Sequence, residues 1–248
     1  MKSLKGKKIL VTGASSGIGR STSIVLAENG AVVVGVDVNE CGLNDLKKDF
    51  ISHGCSLITI AKNLKEDDLE DVFSIAISDG QKLDGLVHCA GVSSVIPLKA
   101  LCKSMLHKVM EINFYSFVEL VRQYSKKKYN NGGAIVGISS LAATLPRAYE
   151  LAYITSKAAM NAAIPCLAIE LASKHIRVNG IMPGVVNTGM INAPLSEEQN
   201  LFINNMEKKT LLGMATPEDI SSVVLFLLGD ESKMITGRVI PVDGGMFL

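Results

Sequence analysis

Short runs rich in β-branched residues recur along this chain, and longer stretches with helical periodicity separate most of them. The runs occupy 7–13, 31–37, 55–61, 83–91, 133–139, 176–184 and 237–245. Their apolar character is nearly continuous, which is typical of strands buried on both faces, since a half-exposed strand alternates apolar and polar residues. The pattern therefore predicts an α/β fold in which a doubly wound, seven-stranded parallel sheet has helices on both faces.

The chain of 248 residues contains no repeat and no Pro/Ser-rich linker. We therefore expect a single domain over 1–248. The most polar and irregular stretch, about 187–213, includes a short helical pattern and indicates a lid over a substrate site.

Charge and cysteine content exclude several classes of protein. A net charge of +1 gives no long-range field for nucleic acid. The five cysteines are scattered without CxxC spacing, which indicates reduced thiols and no metal site. The first residues lack the apolar run of a signal peptide, and no segment approaches the ~20 apolar residues of a membrane span. We expect a cytoplasmic protein that binds neither nucleic acid nor membrane.

The segment TGASSGIG, at 12–19, follows the first apolar run and opens a helical stretch that ends near Gly30. Glycines in such a turn let the backbone approach a pyrophosphate, which the amides and dipole of the helix N-terminus then bind. Asp37 ends the second run. A carboxylate there accepts hydrogen bonds from both ribose hydroxyls of NAD and repels the 2′-phosphate of NADP. The sequence therefore predicts a dinucleotide site that prefers NAD (NADH).

Tyr153 and Lys157 stand four residues apart in the segment AYITSK. On a helix, residues at this spacing lie on one face and can contact each other. Taken alone, the pair is compatible with a chance arrangement on a solvated face, so its meaning depends on the rest of the chain.

Five motifs in order resemble the short-chain dehydrogenase/reductase family: TGASSGIG, YITSK, the serine pair at 139–140, MPG at 182–184 and VDGG at 242–245. The resemblance covers essentially the whole chain. It implies a Rossmann-type fold, a bound nicotinamide cofactor, usually a homotetramer, and reversible oxidation of a secondary alcohol to a ketone.

The tyrosine and lysine suit that chemistry. Hydride transfer to a ketone leaves an oxyanion that must be protonated, and a phenol with a pKa of ~10 is too weakly acidic to cycle well near pH 7. A cation about 4 Å away, at an effective dielectric of about 20, favours the phenolate by about 4 kcal/mol. We assign Tyr153 as the general acid/base and Lys157 as the cation that lowers its pKa. By resemblance, Ser140 binds the substrate oxygen, Asn113 bends its helix and holds a water in a proton relay, and Ser139 is structural.

The resemblance also assigns the cofactor contacts. The Ile18 amide faces the pyrophosphate, Lys157 also bonds the nicotinamide ribose, and the segment with Pro183 and Thr188 packs on the nicotinamide and bonds its carboxamide. The expected cofactor residues are Gly13, Ser15, Ser16, Gly17, Ile18, Gly19, Asp37, Asn63, Leu64, Ala90, Gly91, Tyr153, Lys157, Pro183, Gly184, Val186 and Thr188.

Three features depart from the family pattern. Asn63 stands where an aspartate commonly touches the adenine amine, and its amide oxygen can still accept that bond. His88 and Cys89 replace a usual pair of asparagines, and we interpret His88 as a satisfied core histidine. Pro165 falls inside the helix that begins near Tyr153, so that helix should bend there.

Residues 190–248 resemble bacterial 3-oxoacyl-[acyl-carrier-protein] reductases in the length and sequence of the segment. Lysines at 126–128 and Lys174 stand where those enzymes dock the acidic carrier, although lysines at a helix C-terminus also offset the dipole. The cofactor motif differs, because those reductases mostly use NADPH, have an arginine at the position of Ser16, and lack an acid at that of Asp37.

Three functions follow. The first is an NAD(H)-dependent oxidoreductase that interconverts a secondary alcohol and a ketone on a small-molecule or acyl-chain substrate. The second is a 3-oxoacyl-[acyl-carrier-protein] reductase of fatty-acid synthesis, with an acyl carrier protein as partner. The third is a non-catalytic dinucleotide-binding regulator, which the presence of all four catalytic residues disfavours. The sequence predicts neither the substrate nor the direction of the reaction.

Overall fold

A computed structural model describes residues 4–52, 54–65, 68–187 and 210–246. The strands are β1 (Lys8–Thr12), β2 (Val32–Asp37), β3 (Leu57–Ala61), β4 (Leu83–His88), β5 (Asn130–Ile138), β6 (Ile176–Pro183) and β7 (Val239–Val242). They form one sheet in the order β3-β2-β1-β4-β5-β6-β7, and every neighbouring pair is parallel. The predicted seven-stranded parallel sheet is confirmed.

Helices cover both faces of this sheet. The helices are α1 (Gly17–Glu28), α2 (Glu40–Ser52), α3 (Glu70–Ala76), α4 (Lys103–Met110), α5 (Ser116–Tyr124), α6 (Leu151–Leu171) and α7 (Pro217–Leu228). Residues of α1, α2 and α7 form the core on one face, and residues of α3, α5 and α6 form the core on the other. The sheet is therefore the Rossmann-type middle layer of three.

The strand β1 shows why the apolar runs are continuous. Leu10 points into the core beneath α3, α5 and α6, whereas Ile9 and Val11 point into the core beneath α1, α2 and α7. All three side chains are at most 1% exposed. Successive side chains of a strand alternate between faces, so a strand with two covered faces needs apolar residues at every position.

The strand β5 begins at Asn130, three residues earlier than the sequence predicts. Gly132 and Gly133 have φ values of 97° and 105°, which side-chain-bearing residues rarely adopt. A β-carbon at Gly133 would lie 2.0 Å from the Asp84 carbonyl oxygen. The first residues of β5 therefore include two glycines. The prediction placed the start of the strand too late because it relied on β-branched residues.

The strand order reverses between β1 and β4, which lie side by side at the centre of the sheet. At such a switch point, the loops leaving the carboxyl ends of the two strands diverge and open a crevice. The turn at 12–19 and the segment after β4 both leave from this edge. The fold therefore places the predicted dinucleotide turn beside the crevice.

Two further predictions concern segments that flank this edge. Residues 188–209 of the predicted lid lie outside the described residues. The helix α6 runs on both sides of Pro165, and the bend there stays a prediction. In the described residues, no helix is long and apolar enough to cross a membrane.

Candidate active site

A cleft of about 720 Å³ runs along the carboxyl edge of the sheet. This volume lies within the usual range for small-molecule and cofactor sites. The predicted site residues that line it are Gly13, Ser16, Gly17, Ile18, Gly19, Asp37, Asn63, Leu64, Ala90, Gly91, Ser140, Tyr153, Lys157, Pro183, Gly184 and Val186. Ser15 and Asn113 lie behind the lining, and Thr188 lies outside the described residues.

The glycine turn is shaped by close backbone approach. A β-carbon at Gly19 would lie 2.0 Å from the Gly13 carbonyl oxygen, and one at Gly13 would lie 2.8 Å from the Ala90 nitrogen. Gly13 and Gly17 also have positive φ values of 67° and 51°. Larger residues at these positions would push the turn outward and fill the space where a pyrophosphate would approach the N-terminus of α1.

Asp37 closes one end of the cleft with a fixed carboxylate. Its Oδ2 accepts a hydrogen bond from the Ser15 backbone nitrogen at 3.0 Å, and its Oδ1 accepts one from the Asn39 nitrogen at 2.9 Å. Each carboxylate oxygen has further acceptor capacity for a ribose hydroxyl. Ser15, predicted as a cofactor contact, acts here by orienting Asp37.

Two lysines near Asp37 line the cleft and were missed by the sequence analysis. Lys62 and Lys65 follow β3, whose carboxyl end lies beside that of β2. The Lys62 ammonium lies 2.7 Å from a carboxylate oxygen of Asp71. Arg20, at the start of α1, forms an ion pair with Asp49. Both lysines could have been identified from the sequence, because they directly follow the strand that was predicted next to the one ending in Asp37.

Asn63, between these lysines, lines the same end of the cleft. Its Oδ1 accepts a hydrogen bond from the Lys65 backbone nitrogen at 3.2 Å. An amide oxygen has two lone pairs, so this bond leaves one acceptor position for an adenine amine.

The other end of the cleft brings Ser140, Tyr153 and Lys157 together. The Ser140 hydroxyl accepts a hydrogen bond from the Ala142 nitrogen at 3.1 Å and also interacts with the Tyr153 side chain. The Lys157 ammonium is buried, donates to the Ile138 carbonyl oxygen at 2.7 Å, and lies 6.0 Å from the centroid of the Tyr153 ring. The serine and lysine therefore approach the tyrosine from β5 and α6.

Burial is the largest influence on the pKa of Tyr153 in this arrangement, and the predicted lowering by Lys157 stays a prediction. Burial raises the pKa of Tyr153 above its ordinary value, and the hydrogen bond with Ser140 opposes this only in part. Burial also lowers the pKa of Lys157 to about 8. The lysine ammonium donates to the Ile138 carbonyl oxygen, which fixes its position beside the tyrosine and leaves its positive charge in place.

Asn113 lies in a π-helical turn, Glu111–Tyr115, between α4 and α5. The fully buried side chain accepts from the Val92 nitrogen at 2.8 Å and donates to the Val92 carbonyl at 3.0 Å. Its amide also donates to the Ser156 hydroxyl at 2.9 Å. Single π-helical turns inside α-helices are frequent at functional sites. The interruption of the long helix is therefore local, and the asparagine ties it to the loop after β4 and to α6.

Gly91 is the point where Asn113 and Lys157 meet. A β-carbon at Gly91 would lie 3.3 Å from Asn113 Oδ1 and 3.4 Å from Lys157 Nζ. The asparagine and the lysine therefore border one small space below the cleft. A water held there, as in the predicted relay, stays a prediction.

Ser139, beside Ser140, has its hydroxyl 3.3 Å from the Lys157 carbonyl oxygen, to which it donates. This bond ties the end of β5 to the first turns of α6. In the described residues, no group of three His, Cys, Asp or Glu side chains is arranged to hold a metal ion.

His88 ends β4 beneath the cleft and is fully buried. The Thr12 hydroxyl accepts from the Ala90 nitrogen at 3.3 Å, so its own proton can be donated to His88 Nδ1, 3.0 Å away. The other ring nitrogen, Nε2, has no well-aligned hydrogen-bond partner among the described residues, although the Asn113 backbone is close enough to act on the ring. The histidine is therefore a core residue, as interpreted from the sequence, but only half satisfied.

We expect His88 to make the protein acid-sensitive. Burial, followed by the nearby Lys157 charge, lowers the pKa of His88 from 6.5 to about 3. In that interval the unfolded chain binds a proton that the folded chain does not, so the free energy of unfolding falls as the pH falls. Between pH 5.5 and 4.5, the wild type should lose about 1 kcal/mol more than His88→Asn, as measured by urea denaturation.

The matched control is His107→Asn, because the His107 side chain is 63% exposed. This variant should lose stability with acid as the wild type does. Equal acid sensitivity of wild type and His88→Asn would contradict the assignment.

An ion pair that the sequence analysis missed lines the cleft near Tyr153. Arg147 Nη2 lies 2.8 Å from Glu150 Oε2, and both side chains border the cavity. Arg147 acts to lower the pKa of Tyr153, and Glu150 acts to raise it. The two charges stand three and six residues before the tyrosine in PRAYELAY, and that proximity was the available signal.

Comparison with known proteins gives close likenesses over nearly the whole chain. The family model described as Enoyl-(Acyl carrier protein) reductase matches residues 13–247. The chain is 29% identical to 3-oxoacyl-[acyl-carrier-protein] reductase of Thermotoga maritima, over 99% of each protein. It is 33% identical to L-xylulose reductase of Caenorhabditis elegans, over 96% of this chain and 95% of that protein.

A solved structure of 7α-hydroxysteroid dehydrogenase in complex with NADH and 7-oxo glycochenodeoxycholic acid has the same fold. Its TM-score is 0.92 at 30% sequence identity, over 98% of this chain and 95% of that chain. Since both the family model and the fold match across almost all of its length, the protein belongs to the short-chain dehydrogenase/reductase family of oxidoreductases.

Proposed function

We propose that the protein is an NAD(H)-dependent dehydrogenase/reductase that interconverts a secondary alcohol and a ketone. The observation that carries the proposal is one continuous cleft with Asp37 at one end and Ser140, Tyr153 and Lys157 at the other. A dinucleotide is long enough to connect a ribose at the first end with a reacting ring at the second.

The residues present fit such a cofactor. Gly13 and Gly19 leave no room for β-carbons, so the turn is a tight backbone cradle at the N-terminus of α1. Asp37 binds the adenine ribose through its two carboxylate oxygens. Pro183 and Gly184 border the far end of the cleft. The nicotinamide ring, when bound, supplies the hydride acceptor or donor.

The proton chemistry belongs to the chain. In alcohol oxidation, the Tyr153 oxygen accepts the hydroxyl proton, while Ser140 holds the same substrate oxygen by a hydrogen bond. In ketone reduction, the Tyr153 hydroxyl returns that proton to the oxyanion. We assign the exchange of this proton with solvent to the small space that Lys157 and Asn113 border.

Initial rates test this proposal. The purified protein is assayed with a panel of sugars, polyols, hydroxysteroids, simple secondary alcohols, 3-oxoacyl thioesters and the corresponding ketones. Formation or loss of reduced cofactor is followed at 340 nm with NAD(H) and NADP(H) in parallel. We expect turnover with NAD(H) on at least one pair. Binding of NADH without turnover on any pair would instead favour the non-catalytic regulator.

We propose a free small molecule as the substrate, in preference to a carrier-bound acyl chain. The lysines of the carrier alternative are Lys126–Lys128, which precede β5, and Lys174, which precedes β6. They therefore lie at the amino ends of the strands, whereas the cleft lies at the carboxyl ends. Lys126 and Lys128 both pair with Glu70. The Lys174 ammonium donates to the Ser125 carbonyl at 3.1 Å. Within one chain, the position of these lysines and the pairing of Lys126 and Lys128 support a free substrate in preference to a docked carrier.

Charge reversal tests the carrier alternative. The double variant Lys128→Glu/Lys174→Glu should leave unchanged the ratio of kcat/KM for a carrier-bound 3-oxoacyl substrate to kcat/KM for a small 3-oxoacyl thioester. A carrier docked by these lysines would make that ratio fall by about tenfold or more, and the fall would weaken with salt. Such a fall would overturn the preference for a free substrate.

We further propose a cytoplasmic homotetramer. The five cysteines are scattered without CxxC spacing, as is usual in a reducing compartment, and Ile169 and Met234 are 82% and 89% exposed. The family resemblance carries the assembly proposal, and we propose that these two side chains belong to apolar patches covered by neighbouring chains. Light scattering should give a mass four times the 26.4 kDa of one chain. A monomer at micromolar concentration would contradict the assembly.

A further inference from the structure

The Arg147–Glu150 ion pair lines the cleft beside Tyr153. Glu150 immediately precedes α6, and Tyr153 follows three residues later. Side chains at this spacing in a helix are neighbours, with Cβ atoms about 5–6 Å apart. The pair and the acid/base therefore border the same part of the cleft, away from Asp37.

The pair is sheltered from solvent but not sealed. The Arg147 side chain is 31% exposed and the Glu150 side chain is 14% exposed, and both line the cavity. The buried Glu150 Oε2 lies 2.8 Å from the guanidinium, yet it accepts no aligned hydrogen bond from the described residues. A sheltered carboxylate with unused acceptor capacity is costly unless a donor reaches it.

The backbone that presents the pair is itself constrained. Tyr149, between the two charges, has a φ of 67°, which is rare for an aromatic residue. Its carbonyl accepts a hydrogen bond from the Ile96 nitrogen at 2.6 Å. This bond joins the segment that holds the pair to the loop after β4, whose Val92 and Val95 line the cleft opposite. The orientation of the pair is therefore fixed by the fold.

These features discriminate between substrate classes. A purely apolar substrate would strip water from two charges and return no hydrogen bond, which costs free energy. An anionic substrate could bind Arg147, but it supplies no donor and is repelled by Glu150. A hydroxyl supplies both a donor and an acceptor, so it can donate to the carboxylate and accept from the guanidinium.

We propose that Arg147 and Glu150 bind a second hydroxyl close to the reacting carbon, so that the substrates are polyhydroxylated small molecules such as vicinal diols, polyols or sugars. This inference rests on the proposed alcohol/ketone chemistry and names its substrate class. The two residues select the substrate, and Tyr153 retains the proton transfer.

A matched pair of alcohols tests the inference. A vicinal cyclohexanediol and cyclohexanol present the same ring and a secondary alcohol, and they differ by one hydroxyl. The wild type, with NAD⁺, should oxidise the diol with a kcat/KM at least about tenfold above that for the mono-alcohol, since a site built to bind a hydroxyl rejects the analogue without it. A change in the acidity of Tyr153 affects both alcohols equally, so it does not alter the ratio of the two kcat/KM values.

Two variants and one control complete the design. Glu150→Gln keeps the shape and removes the charge, and Arg147→Lys keeps the charge and removes the planar fork. Each should reduce the ratio at least about threefold, mainly through KM for the diol. Glu119→Gln breaks a comparable Arg–Glu pair on α5, outside the cleft, and should leave the ratio unchanged.

The outcomes separate this inference from the proposed function. A ratio near one in the wild type, or a ratio that both cleft variants leave unchanged, overturns the inference. Turnover of a steroid or a 3-oxoacyl thioester without turnover of any polyol or sugar also overturns it, while leaving alcohol/ketone chemistry intact. Absence of turnover on the entire panel contradicts the proposed function and the inference together.

Discussion

Tyr153→Phe should bind NADH as the wild type does and lose about 100- to 10,000-fold in kcat, the range that general acid/base catalysis usually contributes. The change removes one oxygen from a side chain that lines the cleft beside Ser140. It leaves the aromatic ring that packs there. Turnover on the best substrate of the panel is measured by stopped assay, and NADH affinity by fluorescence titration.

Two comparisons sharpen this prediction. Tyr149 stands four residues before Tyr153 and is 59% exposed. Tyr149→Phe removes its hydroxyl and should retain wild-type turnover. Lys157→Ala should weaken NADH binding as well as turnover, because Lys157 lines the cleft. Wild-type turnover by Tyr153→Phe would contradict the proposed mechanism.

The second large effect concerns the choice of cofactor. We expect kcat/KM with NAD(H) to exceed that with NADP(H) by at least about tenfold, because a 2′-phosphate would be held against the fixed Asp37 carboxylate. Asp37→Asn removes the charge and should narrow the preference to within about threefold. The cations already present near this end, Lys62 and Lys65, favour such a shift once the carboxylate charge is gone.

The control for this prediction is Asp45→Asn, which removes an exposed carboxylate of α2 that does not line the cleft. It should leave the cofactor preference unchanged. Equal or better use of NADPH by the wild type would overturn the prediction, and Lys62 and Lys65 would then be the first residues to vary.

The sheet and the dinucleotide turn could be predicted because their causes are local. Strands covered on two faces must be apolar throughout, and Leu10 with its neighbours in β1 shows this directly. The glycines of the turn are dictated by contacts of 2 to 3 Å that no larger residue permits. Such requirements are visible in the sequence as runs and fixed spacings.

The rest depends on distant contacts and on burial. No sequence pattern reports that the Lys157 ammonium faces the Ile138 carbonyl, or that burial raises the pKa of Tyr153. Likewise, the pairing of Lys126 and Lys128 with Glu70 joins residues far apart in the chain. These contacts set the electrostatics of the site and bear on the carrier alternative, which stays untested until the charge-reversal experiment is done. They are visible only in the folded structure.

Hydride transfer is the central claim, and isotope transfer tests it most directly. The wild type is incubated with the preferred ketone of the panel and NADH that has deuterium at one of the two C4 positions of the nicotinamide, and the alcohol is analysed by mass spectrometry. The account predicts one carbon-bound deuterium in the product from one of the two labelled cofactors only, since a fixed cleft presents a single face of the ring. An unlabelled alcohol from both labelled cofactors, or no alcohol at all, would contradict the account.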